Sequence, residues 1–201
     1  MSISRGPATS VACHEDYAQI WFVCTGNVCR SAYAEAALRQ RLGPSARLVV
    51  DSAGTQAMIG RGMDETMATA AISRGLQNTS HRAKQLCQRG LAAASVVFVF
   101  SPEHRQWVAE NCPEVLPRTL SLGQAHAALE TLPRGERMSI SQMLEAVRSV
   151  RPETSEADWI PDPYKLGLDA ALDAVKRISA ALDALLARLE LTEVDLRAWA
   201  S

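Results

Sequence analysis

No run of about eighteen apolar residues, the minimum for a membrane-crossing helix, occurs in this 201-residue sequence. Its first twenty residues, MSISRGPATSVACHEDYAQI, lack a basic segment followed by an apolar one. No membrane partner or secretory leader is therefore expected, and the expected compartment is the cytoplasm. There is no basic stripe and no long run of like charge, and the formal net charge is −1. Such a balance offers no electrostatic footprint to nucleic acid, so no nucleic-acid partner is expected. Internal repeats are absent too, and the length with 47% hydrophobic residues fits one domain with a substantial core.

Lysine is scarce: only Lys84, Lys165 and Lys176 occur, and none follows a glycine-rich turn. That excludes a Walker-type nucleotide loop, which needs Gly-Lys-Ser/Thr. The five cysteines, Cys13, Cys24, Cys29, Cys87 and Cys112, are odd in number and scattered, so no disulfide framework is expected. Cys13, Cys87 and Cys112 are expected to be small buried apolar residues. A zinc site on Cys24 and Cys29 lacks a second close Cys/His pair unless Cys13-His14 is recruited, and no metal is expected. A thioredoxin-type redox pair has two intervening residues, whereas here there are four.

What is present is an alternation. Ile20 to Cys24, Leu48 to Asp51, Ser95 to Phe100 and, more weakly, Val115 to Leu120 read as buried strands. Between them Ser31 to Leu42, Asp64 to Arg74 and Glu103 to Asn111 read as helices stopped by Gly43-Pro44, Gly75 and Pro113. Strand alternating with helix predicts a single α/β domain built on a doubly wound parallel sheet. Leu168, Leu172, Val175, Ile178, Leu182, Leu186 and Leu189 predict a long C-terminal helix. Ser139 with Gln142 has capping-box spacing and predicts a shorter helix over Ser139 to Val150. Residues 1–17 are expected to be an irregular arm.

The segment VCTGNVCRSA, residues 23–32, stands at the end of the first strand, where ligands of such sheets bind. A cysteine there, followed by a loop into a helix, faces helix N-terminal N–H groups that favour the thiolate, the nucleophilic form. Gly26 and Asn27 tolerate left-handed backbone angles and so can wrap those N–H groups around a tetrahedral oxyanion. Arg30 can donate two parallel hydrogen bonds to the same anion, and Ser31 can cap the helix or donate to the thiolate. The alternative, a buried cysteine pair beside a surface arginine, leaves the Gly-Asn pair and the strand-end position unexplained.

Cys24-Thr25-Gly26-Asn27-Val28-Cys29-Arg30-Ser31 resembles, without a gap, the nucleophile loop Cys-x-Gly-Asn-x-Cys-Arg-Ser of the low-molecular-weight protein tyrosine phosphatases. Further segments follow in that family's order: Asp51-Ser52-Ala53-Gly54-Thr55, Gly60 with Asp64, His81-Arg82-Ala83-Lys84-Gln85-Leu86, and Asp162-Pro163-Tyr164. The resemblance covers residues 18–120 and 158–190, within a domain expected to span 18–195 with an inserted helical segment at 121–157. It implies a four-stranded parallel sheet with flanking helices and metal-free, cofactor-free hydrolysis of phosphotyrosine monoesters through a cysteinyl-phosphate. In this reading Cys24 is the nucleophile, Arg30 the phosphate clamp, and Asp162 the general acid. Thr25, Gly26, Asn27, Val28, Cys29 and Ser31 complete the phosphate loop, supported by a network of Asn27, Ser52 and His81.

Tyr164 is similar to the family's aromatic cleft wall, while Met58 or Ile59 stands where the family often has a second aromatic. Ala32, Ser101 and Lys165 also depart from the usual pattern, and the added segment at 121–157 is expected to rebuild the rim over the site. The implied partner is a phosphotyrosine protein or a small aryl phosphate. Two alternatives stay open: a phosphatase of a small phosphorylated metabolite, and a thiol-dependent arsenate reductase, which needs closely spaced downstream cysteines. Cys29 is a further candidate, as a resolving thiol that captures an oxidised Cys24.

Overall fold

The computed structural model describes residues 18–43, 48–133, 135 and 137–190. The expected arm at 1–17, with Cys13, and the end of the expected domain at 191–195 lie outside these described residues. Four parallel strands, β1 (Ala18–Cys24), β2 (Leu48–Gly54), β3 (Val96–Val99) and β4 (Thr119–Ser121), form one sheet in the order β2-β1-β3-β4. Period-two alternation divides their side chains between two cores. Ile20, Phe22, Val96 and Phe98 face the first, with the Phe22 and Phe98 rings stacked 5.7 Å apart. Trp21, Val23, Val97 and Val99 face the second. Burial on both faces explains why these strands read as continuous apolar runs.

Helices α1 (Arg30–Leu42), α2 (Glu65–Ser73) and α7 (Leu168–Arg188) cover the first face. The short α3 (Gln88–Ala92) and α4 (Pro102–Asn111) cover the second through Leu91 and Val108. The chain therefore leaves β1 toward one face and β3 toward the other. A crevice opens between the carboxyl ends of these neighbouring strands, the topological switch point at which doubly wound sheets bind ligands.

Several expectations are corrected. Val115 to Arg118 belongs to a 3₁₀ turn (Pro113–Arg118), because Pro113 and Pro117 withhold ladder donors, and the fourth strand starts only at Thr119. The segment 121–157 holds two helices, α5 (Leu122–Thr131) and α6 (Ile140–Val150), where one was predicted. The apolar face of α5 is largely alanine, Ala125 and Ala128 beside Leu122 and Leu129, which gives a weak periodic signal. Its capping box, Ser121 with Gln124, was readable. In α7 the buried stripe runs through Ala171, Ala174, Val175, Ile178, Ala181, Leu182 and Leu185, whereas Leu168 is exposed and Leu172 half-buried. Small residues let α1, α2 and α5 approach α7 closely, so the stripe shifts toward alanine. Cys87 is exposed at the start of α3, not buried, while Cys112 is buried.

The added helices close on themselves. α5 packs on α7 and α6 on α5, and among the described residues no hydrogen bond joins either helix to residues 24–31. The excursion returns to β4: Ser121 Oγ donates to Asp158 O at 2.6 Å, and a Cβ on Gly123 would lie 2.3 Å from that oxygen. Asp158, itself buried, accepts from Arg151 and from Ser155 N–H. This clamp delivers the chain to Ile160, whose N–H bonds Phe100 O at 3.0 Å just past β3.

Candidate active site

Cys24 is the last residue of β1 and Arg30 the first of α1, so residues 25–29 form a tight loop between them. The loop is sealed from outside by its own backbone: Thr55 N–H donates to Cys24 O, Gln56 to Thr25 O, Met58 to Gly26 O and Asp64 to Val28 O, all at 2.9 to 3.0 Å. With the carbonyls engaged behind it, the first N–H groups of α1, which have no helical partners, are left as an anion cradle. A glycine is required opposite. A Cβ on Gly54 would lie 2.3 Å from Thr25 O and 3.0 Å from Asn27 N.

The left-handed turn falls on Asn27 alone, at φ 53°, and Gly26 does not share it as expected. An added Cβ at Gly26 would meet the Val28 and Met58 side chains only at ordinary contact distance, 3.4 to 3.7 Å, so the space there does not require glycine. Asn27 is held at its angle by bonds to its side-chain amide and its carbonyl. Nδ2 donates to Ser31 Oγ (2.9 Å) and Ser52 Oγ (2.8 Å), Oδ1 accepts Lys84 N–H (2.9 Å), and the carbonyl accepts His81 Nε2–H (2.7 Å). Ser52 passes its own proton to Glu35 Oε2 at 2.5 Å, and Glu35 also pairs with Arg39 and lies 3.6 Å from His81 Nδ1.

Ser31 lies inside the first turn of α1, with Cys29 at the cap position, so its hydroxyl does not cap the helix. Having accepted from Asn27, that hydroxyl has its proton free for Cys24 Sγ, 2.9 Å away. Arg30 is buried, yet its guanidinium spans to another loop: Nη1 donates to Ile160 O at 3.0 Å and Nη2 pairs with Asp162 Oδ2 at 2.8 Å. Its Nε has no partner. Asp162 is half-exposed, and Tyr164 N–H donates to its Oδ1 at 3.3 Å. Tyr164 and Met58 are half-buried against the first core, and Ile59 points out at 71% exposure.

Cys29 is buried beneath the loop, and burial, with the charges of Asp64, Cys24 and Asp162, pushes its thiol well above the ordinary range. It is a neutral thiol at neutral pH. His104, on the first turn of α4, is pushed down to about 3 by burial and by Arg30, so its ring is neutral. Its Nε2 lies 3.0 Å from Thr25 Oγ1 and its Nδ1 3.1 Å from Ser101 Oγ. The sequence reading missed Glu35 and His104. A lone carboxylate in the alanine-rich Ala34-Glu35-Ala36-Ala37 was the available signal for the first; nothing marked His104.

The predicted loop, Ser52, His81 and Asp162 thus converge on one crevice. A model of low molecular weight phosphotyrosine protein phosphatases matches residues 19–124. The low molecular weight protein-tyrosine-phosphatase Wzb of Escherichia coli K12 is 34% identical over 104 residues, covering 52% of this chain and 69% of its own. Among solved structures, the tyrosine phosphatase AmsI of Erwinia amylovora superposes with a TM-score of 0.65 at 25% identity over 85% of this chain and 91% of its own. The YwlE arginine phosphatase of Geobacillus stearothermophilus shares the fold, with a TM-score of 0.63 at 24% identity over 84% and 90% of the two chains. The family match spans more than half of the sequence and includes β1, the loop, Ser52 and His81, so the chain belongs to the low molecular weight phosphotyrosine protein phosphatase family.

Proposed function

We propose that the chain hydrolyses phosphotyrosine monoesters in two displacements through a cysteinyl-phosphate intermediate. Cys24 sulfur, receiving the Ser31 hydroxyl, attacks phosphorus while the loop N–H groups and Arg30 hold the equatorial oxygens. Asp162 gives its proton to the leaving phenolic oxygen. Its carboxylate then takes a proton from the water that displaces sulfur, releasing phosphate and returning the thiolate and the protonated acid. No metal or organic cofactor takes part in these steps. The observation that carries the reading is the meeting of Arg30 with Asp162 at 2.8 Å from an arginine six residues past the nucleophile. One guanidinium thereby ties the anion cradle to the acid.

Tyr164 and Met58, both against the first core, supply apolar walls for a phenyl ring. The second reading keeps the chemistry and takes a small phosphorylated metabolite, favoured by the flexible thioether of Met58 in a place where a ring would impose shape. The arsenate reductase reading has less support: Cys112 ends the ten-residue α4, about 15 Å along that helix from the end beside the site.

Phosphotyrosine peptides, aryl phosphates, phosphoarginine peptides and alkyl or sugar phosphates turned over by one purified sample test the reading. Acid quenching should leave one phosphoryl group on the peptide containing Cys24. Faster turnover of alkyl or sugar phosphates would transfer the assignment to the metabolite reading, and a phosphoryl group on any other residue would remove the mechanism.

A further inference from the structure

One polar chain at the site, with a buried histidine at its centre, has no place in the two displacements. It begins at Thr25, the residue after the nucleophile, and runs through His104 to Ser101, at the N-terminal end of α4. His104 is 1% exposed, and both ring nitrogens are occupied by hydroxyl oxygens. A neutral imidazole donates from one nitrogen and accepts at the other, so the chain has a direction.

In either direction the ring is bonded on both sides, Nε2 to the Thr25 hydroxyl at 3.0 Å and Nδ1 to the Ser101 hydroxyl at 3.1 Å, because a hydroxyl can donate or accept.

We propose that His104 is a positioning residue of the phosphate loop: by bonding the Thr25 hydroxyl it fixes the first loop residue to α4. Thr25 is then held on two sides, by Gln56 N–H on its carbonyl at 3.0 Å and by His104 on its side chain. The other loop ties run to the β2 side, through Asn27, and through Arg30 to the acid loop; among the described residues it is His104 that hydrogen-bonds the loop to α4. The same strand end carries the acid loop, through Ile160 N–H on Phe100 O. His104 thus sets the cradle relative to Asp162 across the crevice. Such a role acts where the phosphoryl oxygens spread in the transition state, more than on substrate binding.

This inference rests on the phosphatase reading for its kinetic part and stands without it for its structural part. Nitrogen-15 NMR of the wild-type ring is expected to show a neutral imidazole from pH 5 to 8, with an Nε2 shift that moves in Thr25→Val. An imidazolium, or an Nε2 shift unmoved by Thr25→Val, would overturn the proposal, whether or not the protein hydrolyses anything. His104→Phe and Thr25→Val are each expected to lower kcat for an aryl phosphate about 10-fold, with KM changed less than about 3-fold. The double variant should lose no more than either single one, because the two changes break the same bond. His104→Gln, whose amide can still bond a hydroxyl, should recover most of the loss. Full additivity, or a loss confined to KM, would overturn the positioning role. A wild type inactive on every phosphomonoester would remove the phosphatase reading and leave the NMR result to decide the bond. If His104→Phe does not fold, Thr25→Val and the wild-type spectrum decide.

Discussion

The phosphate loop at residues 24–31 and the acid loop at residues 160–164 meet at Arg30, yet they are built in opposite ways. In the first, carbonyls and side chains are bonded from behind, and Asn27 alone ties together Ser31, Ser52, Lys84 and His81. In the second, Asp162 is half-exposed, and its side chain is held by one ion pair and one long contact from Tyr164 N–H. The difference matches the work proposed for each. A cradle for three oxygens gains from being fixed before the substrate arrives, since nothing then has to reorganise during reaction. A group that must first give a proton to a phenolic oxygen and then take one from water gains from having few ties.

Breaking the fixed side at its reactive atom has the largest expected effect. Cys24→Ser should lower kcat by about 10⁴-fold or more while inorganic phosphate still binds, measured by turnover and by calorimetry, because a serine hydroxyl is barely ionised at neutral pH. Turnover near the wild-type rate would end the assignment of Cys24. On the acid side, Asp162→Asn should slow phenyl and alkyl phosphates by roughly 10²- to 10⁴-fold and esters with good leaving groups far less. Equal losses across a leaving-group series would instead make Asp162 a structural partner of Arg30.

Support behind the loop should show in stability as well as rate. Glu35→Gln takes the charge from the carboxylate that receives Ser52, and about 1 to 3 kcal/mol of stability and about 10-fold in kcat should go together. Tyr164→Ala on the acid side should raise KM and leave the melting temperature nearly unmoved; the reverse pattern in the pair would erase the contrast between the loops.

Oxidation tests the buried second thiol. Cys29 is proposed to resolve the sulfenic acid of Cys24, as a neutral thiol packed under the same loop. After peroxide and then dithiothreitol, wild type should recover several-fold more activity than Cys29→Ser, with a Cys24 to Cys29 bridge visible in peptide masses. Equal recovery leaves Cys29 as packing.

The smallest expected effect is on pH dependence. His104 stays neutral in the fold down to about 3, whereas an unfolded histidine takes a proton near 6.5. The unfolded state then binds the extra proton, so this contribution to stability is complete above about pH 6.5 and is lost as pH falls toward 3. Urea midpoints across that window should slope less for His104→Gln than for wild type. Arg30 and Glu103 act on the ring in opposite senses, so Glu103→Gln should carry the histidine's part of the slope to lower pH.

How much could be read in advance differs between the regions in the same way. Cys24 through Ser31 is contiguous, its residue types are chosen by backbone geometry and anion chemistry, and the strand before it announces where it sits. Asp162 was readable only through resemblance, since an aspartate before proline is ordinarily a turn residue. α5 escaped because alanines pack a helix without marking a stripe, and the fourth strand was misplaced because Val115 and Leu116 belong to a proline-bounded turn.

By itself the sequence determined the chemistry that one short segment can carry: a thiol at a strand end, an arginine six residues on, and the alternation that makes a parallel sheet with a switch point. Local spacing suffices for these, because strand, loop and helix entry are consecutive. The tertiary structure decided which distant groups hold that segment in shape. Glu35, Ser52, His81 and His104 reach the loop from α1, β2, the segment after α2 and α4, and the bonds they make depend on how those elements pack. A hydrogen bond between residues 79 positions apart, such as Thr25 with His104, leaves no period or spacing along the chain, so only the folded molecule can show it.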